Sequence, residues 1–173
     1  MRVIVLSDTH MPGRARNLPA RLIADLETAD LIVHAGDFAT VETLEMLRAF
    51  APVEGVYGNV DEPELRRLLP RRKLIEVLGR PLGLVHGDSP SLPTAQRAYA
   101  EFVDQPVDVV VFGHSHKPLL RREGDVLLFN PGSPTDRRAE PRFSYGRLGV
   151  GEDGRLTAEH VWIDPSATIQ PRE

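Results

Sequence analysis

Short apolar runs rich in β-branched residues recur along the chain and predict a series of strands. Each run is nearly continuous in its apolar character, so we expect strands that are covered on both faces. The six runs are VIVL (3–6), LIVHAGD (31–37), VEGVYGN (53–59), LGLVHGD (82–88), VDVVVFGH (107–114) and VLLFNPGS (126–133).

Between the early strands, apolar residues recur every three or four positions, which predicts amphipathic helices. The predicted helices cover 18–26, 41–50, 65–69 and 95–103. Thr40 is expected to be the N-cap of the second helix, and Pro70 is expected to end the third. Strands that alternate with helices favour βαβ units and parallel pairing in the first half of the chain.

After His116 the pattern changes to strands joined by tight turns. Turn signals stand at Gly124-Asp125 and in the stretch GEDGR from Gly151. We therefore expect a mostly antiparallel second half and a mixed α/β fold in which two packed sheets have helices on the outside. Residues 1–165 are predicted to form a single domain, and 166–173, which lack an apolar pattern, a loose tail.

Composition narrows the class of protein. The chain has 173 residues, of which 41% are hydrophobic and 27% charged, as in ordinary globular domains. Its net charge of -4 gives no sign of a nucleic-acid or membrane partner, and no apolar run is long enough for a membrane span or a signal peptide. We expect a cytoplasmic protein; a homo-oligomer is compatible with the sequence.

Metal-competent side chains follow five of the predicted strands, at the point where each run ends. In open α/β sheets, ligands bind beyond the carboxyl ends of the strands, so these clusters are expected to converge. The clusters are Asp8-Thr9-His10, Gly36-Asp37, Gly58-Asn59-Val60-Asp61, His86-Gly87 and Gly113-His114-Ser115-His116.

Apart from Asp61, the donors in these clusters are two aspartates, one asparagine and four histidines, and the chain has no cysteine. Oxygen and imidazole donors together suit a transition metal. Seven donors exceed what one tetrahedral ion needs and fit two ions that share a carboxylate. Residues two positions apart on an extended segment face the same side, so we expect His114 and His116 to point together, as do Asp8 and His10. The glycines leave room where side chains crowd.

The ordered motifs DTH, HAGD, GNVD, HGD and GHSH resemble those of the calcineurin-like metallophosphoesterases, in particular a branch of small bacterial and archaeal phosphodiesterases. The stretch FNPGS (129–133) is similar to a feature of the same branch, and the resemblance covers Met1 to about Arg138. It implies a four-layer α-β-β-α sandwich with a dinuclear metal site at the carboxyl ends of the strands. It also implies hydrolysis of a small phosphodiester by a hydroxide that the metals hold.

The same resemblance implies a ligand set. Asp37, Asn59 and His86 are implied as catalytic residues, and the cofactors as two divalent ions, with Mn first and Ni, Fe, Zn, Co or Mg as alternatives. One ion would be held by Asp8, His10 and His116 and the other by Asn59, His86 and His114, with Asp37 between them.

One position departs from the family pattern. Many relatives carry a histidine after the motif asparagine, where it contacts the phosphate and protonates the leaving oxygen; here that position is Val60. General acid catalysis is worth about 10²–10⁴-fold in rate. We therefore expect an enzyme that cleaves esters with good leaving groups and is poor on alkyl monoesters.

Other polar residues near the motifs have structural interpretations. His34, inside a strand run, is expected to pack or to support a ligand, and His160 is expected to be structural. Asp61 either caps the helix that follows or orients a ligand. Arg137 follows the FNPGS turn, from which it could reach a phosphate, whereas Arg66 and the other arginines are expected on solvated faces.

Two other classes of function compete with a phosphodiesterase. The retromer complex contains a subunit with this fold that acts as a protein-interaction scaffold, its metal site being degraded; the seven retained donors favour catalysis instead. A phosphomonoesterase or a nuclease is a further alternative, although Val60 argues against efficient monoester chemistry. Substrate specificity is expected in the loops 11–17 and 89–94.

Overall fold

The computed structural model describes residues 1–168 and places ten strands in two five-stranded sheets. The first sheet contains β1 (Val3–Leu6), β2 (Leu31–His34), β3 (Val53–Gly55), β9 (Phe143–Val150) and β10 (Leu156–Ile163). The second sheet contains β4 (Arg72–Val77), β5 (Arg80–Val85), β6 (Val109–Val111), β7 (Leu119–Glu123) and β8 (Val126–Asn130). The helices are α1 (Ala20–Leu26), α2 (Val41–Arg48), α3 (Pro63–Leu68) and α4 (Thr94–Ala100).

Each sheet contains three neighbouring parallel strands. In the first, of order β10-β9-β1-β2-β3, the strands β1, β2 and β3 run parallel; in the second, of order β4-β5-β6-β8-β7, the strands β5, β6 and β8 do so. The hairpins β7–β8 and β9–β10 are antiparallel, as the turn signals predict, but β8 is parallel to its other neighbour β6. Five of these six parallel strands, all but β8, have their carboxyl ends where the two sheets can share a site.

The buried residues divide into three clusters, which separate four layers. One cluster lies between the sheets and includes Val5, Val33, Val111 and Phe129. A second packs the first sheet against α1, α2 and α3, and a third packs the second sheet against α4 through residues such as Phe102. The predicted four-layer α-β-β-α sandwich is therefore confirmed.

Several element ends differ from the predictions. The observed strands stop before the glycines and polar residues that close their runs; β6, for example, ends at Val111 instead of His114. Thr40 is the N-cap residue of α2, but its side chain makes no capping hydrogen bond, and the carboxylate of Glu62 accepts one from Val41 N–H at 2.8 Å instead. Strand β4 was not predicted, because charged residues interrupt its apolar positions along the edge of the sheet.

The chain after β10 begins with a short 3-10 helix, Pro165–Thr168, which covers the first residues of the predicted tail. The remainder of that tail lies outside the described residues. Within residues 1–168, the helices are all too short and too polar to cross a membrane.

Candidate metal centre

The loops that follow five parallel strands bring the seven predicted donors to one place. Asp8 and His10 follow β1, Asp37 follows β2 and Asn59 follows β3, all in the first sheet. His86 follows β5, and His114 and His116 follow β6, in the second sheet. The site thus lies across the two sheets at the carboxyl ends of their parallel strands.

One group of donors contains Asp8, His10 and His116. The Nε2 atoms of the two imidazoles are 3.1 Å apart. The Oδ1 atom of Asp8 lies 3.4 Å from Nε2 of His116 and 3.8 Å from Nε2 of His10. These three side chains therefore point at a common position.

A second group contains Asn59, His86 and His114. The Oδ1 atom of Asn59 lies 3.1 Å from Nε2 of His86 and 3.0 Å from Nδ1 of His114. The rings of His86 and His114 meet edge to face with their centroids 5.2 Å apart. The two histidines of the GHSH motif thus belong to different groups.

Asp37 lies between the two groups. Its Oδ2 atom is 3.5 Å from Nε2 of His10 and 3.2 Å from Nε2 of His86. Asp8 is also central, because its carboxylate lies within 4.8 Å of the donor atoms of both Asp37 and His86. The described donors therefore form two adjoining groups that share carboxylates.

These separations test whether the residues fit metal ions. Donor atoms that share one ion at about 2.1 Å lie about 3.0–3.4 Å apart, for angles at the ion between square and tetrahedral. The contacts His10–His116, Asn59–His86 and Asn59–His114 all have lengths near this range. Carboxylate, amide and imidazole donors are also the chemistry that divalent transition metals take. The residues fit two such ions.

The backbone at the site differs from the extended geometry that the sequence suggests. Asp8, His10, Asp37, His114 and His116 all have φ between 45° and 66°, in the left-handed region. Each such residue costs about 1–3 kcal/mol, and such strain is characteristic of functional sites. The paired histidines therefore reach the site through tight left-handed bends and not by strand alternation, so the expected extended geometry was wrong.

Glycines provide the close approach that the crowded donors need, as predicted. A Cβ at Gly58 would lie 2.1 Å from Oδ1 of Asp37. A Cβ at Gly113 would lie 2.7 Å from Oδ2 of Asp8. Neither position can carry a side chain without displacing a donor.

Hydrogen bonds orient two of the imidazoles. Nδ1 of His86 lies 2.8 Å from the carbonyl oxygen of Ala35, and Nδ1 of His116 contacts the carbonyl oxygen of Asp136. We assign a proton to Nδ1 in both rings, which turns each Nε2 towards the site. Such carbonyl partners fix the tautomer and ring orientation of metal-binding histidines.

Burial and contacts between the side chains shift the pKa values of the site residues. Burial raises the pKa of the Asp8 carboxyl to about 6, although the charge of His86 opposes the change. Burial alone would raise the pKa of Asp37 and lower that of His86. The contact between the two side chains has the opposite effect and prevails, so the pKa of Asp37 is lowered and that of His86 is raised. Burial lowers the pKa of His10, His114 and His116, which favours neutral rings with free lone pairs.

Asp61 supports the site and does not cap a helix. Its Oδ2 atom accepts hydrogen bonds from the N–H groups of Asp37, at 3.1 Å, and Gly58, at 2.7 Å. Its Oδ1 atom accepts one from Ala39 N–H at 2.7 Å, while Glu62 is the N-cap residue of α3. Of the two predicted roles, the structure shows the orienting one.

Arg66 has a contact that the sequence analysis missed. Its guanidinium donates to the carbonyl oxygens of Asn59, at 2.8 Å, and Asp61, at 3.0 Å. Arg66 is exposed, as expected, and its guanidinium also binds the loop that contains Asn59. A bond from a side chain to a backbone carbonyl leaves no periodic signal in the sequence.

The remaining candidates lie around the centre. His34 is buried, stacks on Phe38 and lies 3.2 Å from the hydroxyl of Thr9 through Nε2, so it packs and supports as predicted. His160 has a structural contact to the carbonyl oxygen of Asn130 at 2.8 Å. The guanidinium of Arg137 binds the carbonyl oxygen of Glu140 and lies over the Phe143 ring.

The comparisons with known proteins agree with this geometry. Residues 1–153 match the family model of the calcineurin-like phosphoesterase superfamily domain. A probable metallophosphoesterase of Methanothermobacter thermautotrophicus is 39% identical over 136 residues, which cover 78% of each chain. A probable metallophosphoesterase of Methanocaldococcus jannaschii is 37% identical over 166 residues, covering 95% of this chain and 82% of that protein.

A solved structure extends the likeness to the whole fold. Wild-type Vps29 of Entamoeba histolytica, in complex with Zn²⁺, superposes with a TM-score of 0.73 at 26% identity. The match covers 94% of this chain and 99% of that chain. The matches to the family model and to the archaeal relatives confirm the family that the strand-end motifs predict. The chain belongs to the calcineurin-like phosphoesterase superfamily.

Proposed function

We propose that this metallophosphoesterase is a phosphodiesterase that works with two divalent metal ions. The observation that carries the proposal is the position of the Asp37 carboxylate between two donor groups, each with its own imidazoles. A related protein of the same fold, Vps29 of Entamoeba histolytica, has been solved with Zn²⁺. Mn²⁺ is our first choice of ion for this chain, with Ni²⁺, Fe²⁺, Zn²⁺, Co²⁺ and Mg²⁺ as alternatives.

Two divalent ions in such a site supply a water of lowered pKa and neutralise charge on a phosphate. The position of Asp37 supports two ions, because its carboxylate faces both groups and the backbone N–H of Val60 donates to its Oδ1 atom at 3.0 Å. Asp8 and Asp37 balance only half of the four positive charges that two ions bring. The centre therefore attracts an anionic phosphate even though the protein has a net charge of -4.

The side chain at position 60 supports a preference for good leaving groups. Val60 is 47% exposed beside the site, and an isopropyl group cannot donate a proton to a leaving oxygen. An alkoxide leaving group needs that proton more than a phenolate does. We therefore propose activated or otherwise acidic alcohols as the leaving groups and a small phosphodiester as the substrate.

The proposal is tested on protein freed of metal by a chelator and assayed on bis(p-nitrophenyl) phosphate, with Mn²⁺, Ni²⁺, Mg²⁺ or Zn²⁺ added back singly. We expect hydrolysis to return with at least one ion and to exceed the rate on a sugar phosphate such as glucose 6-phosphate. Faster turnover of the sugar phosphate would overturn the preference for diesters.

A second candidate function is a protein-interaction scaffold, because the chain shares its fold with Vps29 over nearly its full length. The seven donors argue for catalysis, since a scaffold has no need for the strained backbone that brings them together. Absence of hydrolysis with every added metal would favour the scaffold.

A further inference from the structure

Helix α4 lies directly against one edge of the metal centre. Its first residue, Thr94, packs on Gly87, the residue that follows His86: a Cβ at Gly87 would lie 3.2 Å from Cγ2 of Thr94. Arg97 lies one helical turn further on, and its Nη2 donates to the Thr94 hydroxyl at 2.9 Å. This bond holds the guanidinium at the end of α4 that faces the site.

The guanidinium of Arg97 lacks the partners that a structural arginine has. Its Nε–H is buried and has no hydrogen-bond partner within the described part of the chain. None of the ion pairs found among residues 1–168 includes Arg97. Arg97 therefore has a positive charge with no counter-ion among the described residues.

Arg97 also lines a cavity of about 310 Å³ that includes part of the loop 89–94, where the sequence predicts specificity. Ser89 and Ser91 offer hydroxyl groups on that wall. The other cation of the cavity, Arg72, is paired with Glu101 at 3.7 Å. Asp104, also on the wall, forms no ion pair with any of the described cations. Arg97 is thus the unpaired cation of this cavity among the described residues.

The cavity adjoins the metal centre. Ser89, on the cavity wall, is three residues from the donor His86, and Thr94, which accepts the hydrogen bond from Arg97, packs on Gly87. A substrate whose phosphodiester lies at the two donor groups could therefore extend into the cavity beside α4.

We propose that Arg97 determines specificity by binding a second anionic group of the substrate, a phosphate or carboxylate carried beyond the scissile phosphodiester. This inference rests on the proposed phosphodiesterase function and names the substrate class. The guanidinium can donate two parallel N–H bonds to such a group, an arrangement that lysine cannot reproduce. Ser89 and Ser91 would complete the contacts to the anion or to the group that carries it.

The test uses two substrates with the same scissile bond and leaving group: thymidine 5′-(p-nitrophenyl phosphate), with and without a 3′-phosphate. Wild type is expected to prefer the 3′-phosphorylated ester by about 10–100-fold in kcat/KM, the range for one charge-assisted contact. Most of the preference should come from KM. Arg97→Gln should lose the preference and keep its rate on the other ester within about twofold, while Arg97→Lys keeps part of it.

Arg121→Gln is the matched control, because Arg121 pairs with exposed Glu123 on edge strand β7. It should leave the preference unchanged. Equal kcat/KM for the two esters in wild type, or an equal loss on both esters in Arg97→Gln, would overturn the inference.

A binding measurement separates failure of this inference from failure of the proposed function. If wild type hydrolyses neither ester with any metal, the phosphodiesterase proposal fails. Calorimetric titration with thymidine 3′,5′-bisphosphate and thymidine 5′-phosphate still decides the role of Arg97. Arg97→Gln should bind the bisphosphate at least about tenfold more weakly than wild type does, with little change for the monophosphate; equal affinities of the two proteins would refute the contact.

Discussion

The carboxylate of Asp37 stands between the imidazoles of His10 and His86, with Oδ2 at 3.5 Å from one Nε2 and 3.2 Å from the other. Such a position suits a ligand that two ions share. It also explains why hydrogen bonds fix the loop on both sides: the Asp37 N–H donates to the Asp61 carboxylate, and the Val60 N–H donates to the Asp37 carboxylate.

Asp37→Asn should remove most of the activity, because the amide keeps the shape of the side chain but loses the charge that two cations require. We expect a loss of at least about a hundredfold in kcat, since even residues that only orient a ligand cost 10–100-fold. The matched control is Asp125→Asn, whose side chain is 92% exposed in a turn. Near-normal turnover of Asp37→Asn would refute the shared-ligand role.

Val60→His tests the account of leaving-group preference. An imidazole at this half-exposed position beside Asp37 should act as a general acid. On a dialkyl phosphate, whose leaving group is an alkoxide, we expect it to raise kcat/KM by about tenfold or more. The rate on bis(p-nitrophenyl) phosphate should change little, because nitrophenolate leaves without a proton. Val103→His, at an exposed valine after α4, is the control. An equal change on both esters would contradict the general-acid explanation.

Substitutions of the neighbouring residues Arg66 and Arg67 should have different effects on metal binding. Arg66 binds the carbonyl oxygens of Asn59 and Asp61, whereas Arg67 pairs only with Glu64 on the helix surface at 2.9 Å. Arg66→Gln should weaken metal binding by about 10–100-fold, measured by titration of the metal-free protein, because the Asn59 loop loses its support. Arg67→Gln should bind metal as wild type does. Equal affinities in the two variants would show that Arg66 has no positioning role.

A second buried polar cluster, remote from the metal centre, predicts an alkaline loss of stability. Tyr145 is fully buried, and its hydroxyl donates to Asp25, which also accepts a hydrogen bond from Arg147 at 2.7 Å. Burial, together with the hydrogen bond to Asp25, raises the pKa of Tyr145 to about 12. A raised pKa means that the folded state holds the proton more tightly than the unfolded state.

The stabilisation from the Tyr145 proton is therefore complete below about pH 10 and is lost as the pH rises towards 12. Wild type should lose about 2–3 kcal/mol of unfolding free energy over this window relative to Tyr145→Phe, which has no proton to lose. Urea unfolding at several pH values measures the difference, with Tyr99→Phe as the control for loss of a tyrosine hydroxyl. Parallel pH curves for wild type and Tyr145→Phe would contradict the prediction.

The convergence of the donors could be predicted from the sequence, because each follows an apolar run whose carboxyl end is fixed by parallel pairing. The geometry of the bends could not, since the left-handed backbone of His114 and His116 depends on contacts such as the bonds from His114 N–H to Asp8 at 3.0 and 3.2 Å. Two-residue spacing looks the same in a strand and in a tight bend.

The supporting residues were harder to predict for a related reason. Asp61 precedes a helix, so its sequence context favours a cap, and only the folded loops show that it bonds three N–H groups from two strands' ends. Strand β4 was missed because an edge strand with one face in solvent tolerates charges between its apolar residues.

The most direct test of the central claim is anomalous diffraction from crystals of the Mn²⁺-loaded protein. The account predicts two anomalous peaks about 3.5–4 Å apart, both within bonding distance of the Asp37 carboxylate. One peak should contact His10 and His116, and the other should contact His86 and His114. A single peak, or two peaks of which only one touches Asp37, would contradict a dinuclear centre built on this residue.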